Sequence, residues 1–159
     1  MNHDLCVKTQ EGILNIRVGA IIMKDDKLLM VENDRSDFMY SVGGRIKFGE
    51  TAQEAVVREV YEETGVHMEI SRLGFIHENF FMGDSLKKEG NIVHEISFFF
   101  YMDVPPDFEP VCNSFTEDGN KEHLVWIKAD HNKKYYPEFF KTELANPSYE
   151  VKHFVTREV

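Results

Sequence analysis

The sequence has few of the residues that mark several large classes of protein. Its two cysteines, Cys6 and Cys112, lie far apart, which indicates neither a disulfide framework nor a zinc site and favours a reducing compartment. Five prolines and ten glycines are too few for a collagen-like or low-complexity chain. No stretch reaches the ~18 apolar residues of a membrane span, and the start lacks the pattern of a secretion signal. We therefore expect a cytoplasmic protein with no membrane partner.

Positive charge is also scarce. The chain carries 18 Lys and Arg against 28 Asp and Glu, a formal net charge of −10. Such a surface repels the phosphate backbone of nucleic acids, unless a local basic patch overrides the repulsion. We therefore expect no broad nucleic-acid binding.

The residues that are present describe a chain that folds. Hydrophobic residues make up 42% of the sequence and aromatic residues 13%, which argues against disorder. A chain of 159 residues supports one well-packed core and leaves no room for a second domain of normal size. We expect residues 1–159 to form a single domain.

Apolar and β-branched runs predict several strands and few helices. Strands are expected at 14–23, 27–32, 38–42, 70–82, 92–104, 123–129 and 149–155. Helices are expected from 52 to about 64 and at 135–145, the second closed by Pro147. The pattern favours an α+β fold with a mixed sheet. Loops are expected at 83–90 and 105–121, and the longer one is either a substrate loop or a solvated connection.

The helix that starts near Ala52 has clear boundary signals. Thr51 and Glu54 form a capping box, and Gly65 is a left-handed terminator at the other end. Its expected buried side consists of Ala52, Ala55, Val56 and Val60.

The polar side of this helix is unfavourable unless a cation is present. Glu59, Glu62 and Glu63 share one face and repel one another, at a cost of a few tenths of a kcal/mol per pair. Two of them occupy the last turn, where the helix dipole favours positive side chains. A divalent cation resolves both conflicts, because hard oxygen ligands suit Mg²⁺, with Mn²⁺ as an alternative. Arg58 can also bridge to Glu62.

The segment from Gly44 to Val66 resembles the Nudix box. The segment reproduces the full pattern with no departure. The pattern consists of Gly44, five residues, Glu50, seven residues, Arg58-Glu59-Val60, one residue, Glu62-Glu63, one residue and Gly65-Val66. The resemblance extends from Ile13 to about Ala145. It implies a Nudix-like α/β/α sandwich with a mixed β-sheet and the Nudix loop and helix.

The resemblance also implies an activity. Nudix hydrolases use Mg²⁺ to cleave the pyrophosphate of a nucleoside diphosphate linked to another moiety, by attack of water on phosphorus. The partner would be such a small molecule, and a homodimer is left open. A protein that keeps the fold but only binds nucleotides is the alternative. A zinc or nucleophilic hydrolase is disfavoured, because no suitable His/Cys cluster or serine motif is present.

By the same resemblance, each acidic residue of the box receives a role. Glu59 and Glu63 would be principal metal ligands, together with the carbonyl of Gly43. Arg58 would orient Glu59. The remaining box acids have open roles: Glu62 would be a further ligand or the general base, and Glu50 would support the site indirectly or bind another metal ion.

The general base has alternatives outside the box. Glu62 is preferred, with Glu122 and then Glu117 as loop candidates on either side of Asp118-Gly119-Asn120.

The substrate is not assigned by the resemblance. Phe81 and Met82 lie where a proline marks ADP-ribose hydrolysis, and the residues near Asp84 lack the tyrosine of diadenosine polyphosphate hydrolysis. The upstream pattern of coenzyme A hydrolysis is also missing. Alternation within 98–101 sends Phe98 and Phe100 to one face and Phe99 and Tyr101 to the other, so one pair is expected to line the ligand cleft.

Overall fold

The structure, a computed structural model, describes residues 3–83, 90–109 and 121–159. Within these residues the strands are β1 (Cys6–Lys8), β2 (Ile13–Ile21), β3 (Met23–Lys24), β4 (Lys27–Asn33), β5 (Met39–Arg45), β6 (Glu69–Met82), β7 (Ile92–Asp103), β8 (Glu122–Ile127), β9 (Tyr135–Tyr136) and β10 (Lys152–Arg157). The helices are α1 (Ala52–Thr64) and α2 (Phe140–Glu143).

The strands form one mixed sheet. Its order is β10-β6-β7-β2-β5-β4-β3, with β1 on β2, β8 on β4 and β9 on β5. The β10–β6, β2–β7 and β5–β9 pairs are parallel, and the other pairs are antiparallel. β5 changes partner along its length, because its residues 42–45 pair with β2 whereas Met39 and Tyr40 pair with β9. β5 therefore pairs with β2 along its second half and with β9 at its start, beside the site described below.

Alternation along the strands divides the core between the two faces of the sheet. On one face, Val18, Val42 and Phe100 pack with Val56 and Val60 of α1. Each valine buried in this way contributes roughly 1.5–3 kcal/mol.

The other face packs against α2. Phe75, Phe99 and Met39 form a cluster with Phe140 and Leu144. The predicted alternation is confirmed, since Phe98 and Phe100 lie on the α1 side and Phe99 and Tyr101 on the α2 side.

Both predicted ends of α1 are confirmed. The Thr51 hydroxyl accepts a hydrogen bond from the Glu54 backbone N–H at 3.1 Å, and the Thr51 N–H donates to the Glu54 carboxylate at 3.3 Å. Gly65 has φ 76° and donates its N–H to the Tyr61 carbonyl at 2.8 Å. A residue with a β-carbon is strained in this left-handed conformation, which explains the glycine.

The predicted second helix, 135–145, is wrong over its first half. Tyr135 and Tyr136 form β9, and α2 is the short segment that follows. The physical reason is Pro137, which disfavours the helical conformation of the residue before it and lacks an N–H to continue a helix.

The C-terminal segment forms a strand, as predicted, but at 152–157 rather than 149–155. β10 lies at the edge of the sheet, where it runs parallel to residues 75–80 of β6.

The two predicted loops fall largely outside the described residues, which exclude 84–89 and 110–120. In the described part of the chain, no helix is long and apolar enough to cross a membrane.

Candidate active site

Two glutamates of α1 lie against the glycine pair of β5. The Glu63 carboxylate is buried and accepts a hydrogen bond from the Gly43 backbone N–H at 2.8 Å. The Glu59 carboxylate lies so close to Gly44 that a β-carbon there would overlap its oxygens. A side chain at Gly44 would therefore displace the Glu59 carboxylate from its position. The predicted role of the Gly43 carbonyl stays a prediction, since the contact that is present uses the N–H.

Arg58 connects the remaining acids of the box. Its Nε and Nη2 donate to the two oxygens of Glu50 at 2.7 and 2.9 Å, and Nη2 also donates to the Arg45 carbonyl at 3.0 Å. Its Nη1 donates to Glu59 at 2.9 Å and to Glu62 at 3.3 Å. The paired guanidinium lowers the pKa of Glu50, and these bonds in turn raise the pKa of Arg58. Arg58 is thus hydrogen-bonded to Glu59, and its role in orienting that carboxylate stays a prediction.

The two carboxylates at the glycine pair carry an electrostatic strain. Burial raises the pKa of Glu59, although the charge of Arg58 opposes this. Burial raises the pKa of Glu63 well above its usual range, and the negative charges of Glu59 and Glu122 add to the rise. The positive charge of Arg17 lowers the pKa of both carboxylates, but it offsets their rise only in part. The cluster is short of positive charge.

Glu122 belongs to this cluster, although the sequence placed it in a loop. It is the first residue of β8 and is buried, and the Tyr40 hydroxyl donates to its carboxylate at 2.6 Å. Asn33 donates its side-chain N–H to the same tyrosine oxygen at 3.1 Å. Burial and the bond to Glu122 raise the pKa of Tyr40, which stays a hydrogen-bond donor at neutral pH. The other loop candidate, Glu117, lies outside the described residues.

The donor chemistry fits a hard divalent cation. Glu59 and Glu63 supply carboxylate oxygens, which Mg²⁺ and Mn²⁺ prefer. A cation would also relieve the repulsion that raises the pKa of both. The side chain of Glu62 is 51% exposed and turned toward Arg58. Accordingly, within residues 3–83, 90–109 and 121–159, no group of three or more His, Cys, Asp or Glu side chains is arranged to hold a metal ion.

A cavity of about 180 Å³ is connected to the cluster through Tyr40, which lines the cavity and donates to Glu122, although Glu59, Glu63 and Glu122 are not among its lining residues. Its lining includes Arg17 and Tyr40, which are both coupled to the cluster, together with His77 and Phe99 from the α2 side of the sheet. Phe99 lines this cavity and its pair member Tyr101 is not among the lining residues, so the prediction that one pair lines the ligand cleft stays a prediction.

Sequence reasoning missed Arg17 and Tyr40. Arg17 had a usable signal, because a charged residue interrupts an otherwise apolar strand. Tyr40 had none, because its partner Glu122 is 82 residues away along the chain.

A family model described as the NUDIX domain matches residues 14–144. The chain belongs to the Nudix family. An ADP-ribose pyrophosphatase of Methanocaldococcus jannaschii is 39% identical over 61 residues, which are 36% of each chain. The chain spans between 32% and 40% of the length of the curated relatives that it matches.

Solved structures support the Nudix fold. A mutator MutT protein from Bacillus halodurans superposes with a TM-score of 0.59 at 18% identity, over 91% of both chains. An ADP-ribose pyrophosphatase from Streptococcus suis superposes with a TM-score of 0.57 at 20% identity, over 89% of this chain and 98% of that one. The predicted α+β sandwich around a mixed sheet is confirmed. The C-terminal strand β10 lies beyond the residues that the family model matches.

Proposed function

We propose that the protein hydrolyses the pyrophosphate bond of a nucleoside diphosphate linked to another moiety, in a reaction that depends on Mg²⁺ or Mn²⁺. The observation that carries the proposal is a pair of carboxylates with raised pKa values, buried Glu63 and largely buried Glu59, held against Gly43 and Gly44. A structural role alone gives no reason to bury two repelling acids side by side. An acidic protein that must bind pyrophosphate gives such a reason.

Glu59 and Glu63, with the carbonyl of Gly43, would hold the metal. When bound, the cation would neutralise charge on the pyrophosphate and stabilise the leaving phosphate. Arg58 holds Glu59 in place through its 2.9 Å bond, and Glu50 fixes Arg58 from the other side. Arg17, which lines the cavity and whose charge acts on both carboxylates, would contact a phosphate oxygen.

Two residues compete for the role of general base. Glu62 is exposed, and a hydrogen bond from Arg58 at 3.3 Å restrains it loosely, which leaves it accessible to water. Glu122 is buried and held at 2.6 Å by Tyr40, and its charge acts on Glu63. Glu62 stays the sequence-based prediction, and the burial and coupling of Glu122 support it as the alternative.

The test is turnover of a nucleotide panel with Mg²⁺ and with EDTA. The panel includes ADP-ribose and UDP derivatives, which appear in the names of a relative and of structural neighbours, and is extended by nucleoside triphosphates. We expect release of a nucleotide product with Mg²⁺ and none with EDTA. Equal turnover in EDTA would exclude the metal-dependent mechanism.

A nucleotide-binding protein without turnover is the second candidate. It is favoured by one observation, the absence of a three-residue metal cage among the described residues. Nucleotide binding in the presence of Mg²⁺ with no product across the panel would support it.

A single domain over residues 1–159 and a cytoplasmic location complete the proposal.

A further inference from the structure

The cavity beside the carboxylates has a polar floor built by neighbouring strands. Glu95 of β7 lies opposite Asn79 of β6, and Ser97 of β7 lies opposite His77 of β6. All four side chains line the cavity. Polar residues at successive inward positions of two central strands are costly unless they have partners, so this floor calls for a ligand.

The floor offers hydrogen-bond acceptors in excess. Asn79 Oδ1 is buried and has no hydrogen-bond partner among the described residues. The Glu95 side chain is 16% exposed and has a single long ion pair, 3.9 Å from Arg17. Glu138 and Glu158 add two exposed carboxylates at the rim. An unsatisfied buried acceptor costs about 1–3 kcal/mol, which a donor on the ligand would recover.

Positive charge is confined to one side of the cavity. Arg17 is the only Lys or Arg among the described residues that line it, and its charge acts on Glu59 and Glu63. His77 adds no charge, because burial lowers its pKa to about 4. A phosphate would therefore lie on the Arg17 side, and the rest of the cavity suits an uncharged group rich in N–H donors.

The C-terminal strand completes the wall. Thr156 Oγ1 lies 2.8 Å from His77 Nε2, and both side chains line the cavity. Because β10 lies outside the segment that the family model matches, this part of the wall belongs to the chain's own C-terminal segment.

We propose that this cavity binds the nucleobase of the substrate and selects a base with an exocyclic amino group, which donates to Asn79 Oδ1 and Glu95. The preference is for adenine or cytosine over their oxo counterparts, hypoxanthine and uracil. The inference rests on the proposed function for the identity of the substrate as a nucleotide.

Nucleoside binding in EDTA tests the preference directly. Two matched pairs, cytidine with uridine and adenosine with inosine, differ at the amino position. Isothermal titration calorimetry should give a dissociation constant about 10-fold lower for the nucleoside that carries the amino group in each pair. Equal or tighter binding of uridine and inosine would overturn the proposal, as would no binding of any of the four at millimolar concentration.

Substitutions at Asn79 assign the preference to this residue. Asn79→Leu removes the acceptor at similar size and should bring the affinity ratio of each pair close to one. Asn79→Asp keeps an acceptor and should keep the preference, so this variant tests the idea even if the leucine variant fails to fold. Asn132→Leu, at an exposed asparagine outside the cavity, is the matched control. A preference that survives in a folded Asn79→Leu protein contradicts the assignment.

Thr156 provides a separate test of the C-terminal strand. Thr156→Val removes the hydroxyl and should raise the dissociation constant of the preferred nucleoside several-fold, and Thr156→Ser should restore it. Unchanged affinity in Thr156→Val would remove β10 from the site. These tests are independent of hydrolysis, because nucleosides carry no phosphate and EDTA removes the metal. An absence of product in the hydrolysis panel would therefore not contradict the base preference. An absence of base preference would likewise not contradict hydrolysis.

Discussion

The carboxylate cluster and the cavity are neighbours in space but have different origins in the sequence. Except for Glu122, the cluster comes from one continuous stretch, 43–63, in which a loop and a helix bring the acids together. The cavity takes its lining from β2, β5, β6, β7, the segment after β9 and β10. The groups assigned to the chemistry are thus local in the chain, whereas the groups assigned to selectivity are dispersed.

The two regions also differ in what they lack. The cluster is short of positive charge, since burial raises the pKa of Glu59 and of Glu63, and neighbouring carboxylates add to each rise. In the cavity, the Oδ1 acceptor of Asn79 has no hydrogen-bond partner among the described residues. The metal of a bound nucleotide would supply the charge, and its base would supply a donor. Mutations in the cluster should therefore change kcat, and mutations in the cavity should change KM and the choice of base.

The largest expected effect is loss of the general base. Gln substitutions are made singly at Glu62, Glu117 and Glu122, and kcat is measured at saturating Mg²⁺. Substitution of the general base should lower kcat by roughly 10²–10⁴-fold, since this residue must take a proton from the attacking water. If only Glu117 or Glu122 shows this loss, the sequence-based preference for Glu62 is wrong.

A comparable loss is expected for Glu59→Gln. Removing this charge should lower kcat by roughly 10²–10³-fold, because electrostatic support matters most in the transition state. Glu54→Gln is the control on the same helix, since glutamine also completes a capping box. Turnover in ¹⁸O-labelled water measures the rate and shows where water attacks. Near-normal turnover of Glu59→Gln would contradict its role as a ligand.

A smaller effect is expected from Arg58→Lys. Lysine cannot form the fork that bonds Glu50 twice while also reaching Glu59, so the variant should lose about 1–2 kcal/mol of unfolding free energy after allowance for solvent screening. Urea unfolding of Arg58→Lys and of the wild type measures it. Equal stability of the two proteins would show that the fork contributes little.

The smallest effect concerns His77 and pH. Burial, with a further contribution from the charge of His153, lowers the pKa of His77 to about 4, below the ordinary value near 6.5. Between these values the unfolded chain binds a proton and the folded protein does not. Stability from His77 is therefore complete above pH 6.5 and falls by at most about 1.4 kcal/mol per pH unit toward pH 4.

His77→Gln should remove that part of the slope, and His123→Gln, at an exposed histidine, should leave it unchanged. Urea unfolding at several pH values between 4 and 7 measures both. The same slope in His77→Gln and in the wild type would show that His77 is not held neutral.

The predictable part of the molecule is the part whose signals are local. The capping box and Gly65 fixed both ends of α1, and the spacing of Glu59, Glu62 and Glu63 pointed to a cation. The alternation in 98–101 correctly assigned each aromatic residue to a face, because strand geometry leaves only two choices.

The rest depends on contacts between distant residues. The sequence analysis assigned Tyr135 and Tyr136 to the start of a helix, yet they pair with β5, a strand about 95 residues earlier in the chain, as the preference of tyrosine for strands allows. The sequence predicted Glu122 in a loop, whereas in the structure it begins β8 and accepts a hydrogen bond from Tyr40. The part of the cavity wall that β10 forms depends on the pairing of β10 with β6, and no sequence motif predicts that pairing.

The central claim, that the buried glutamates form a metal site, is tested most directly by thermal unfolding with EDTA and with Mg²⁺. Binding to the folded state alone should raise the melting temperature of the wild type with Mg²⁺ concentration. Glu63→Gln should melt slightly higher than the wild type in EDTA, because a costly buried charge is removed, and should lose most of the Mg²⁺ shift. A Mg²⁺ shift of the same size in Glu63→Gln and in the wild type would contradict the account.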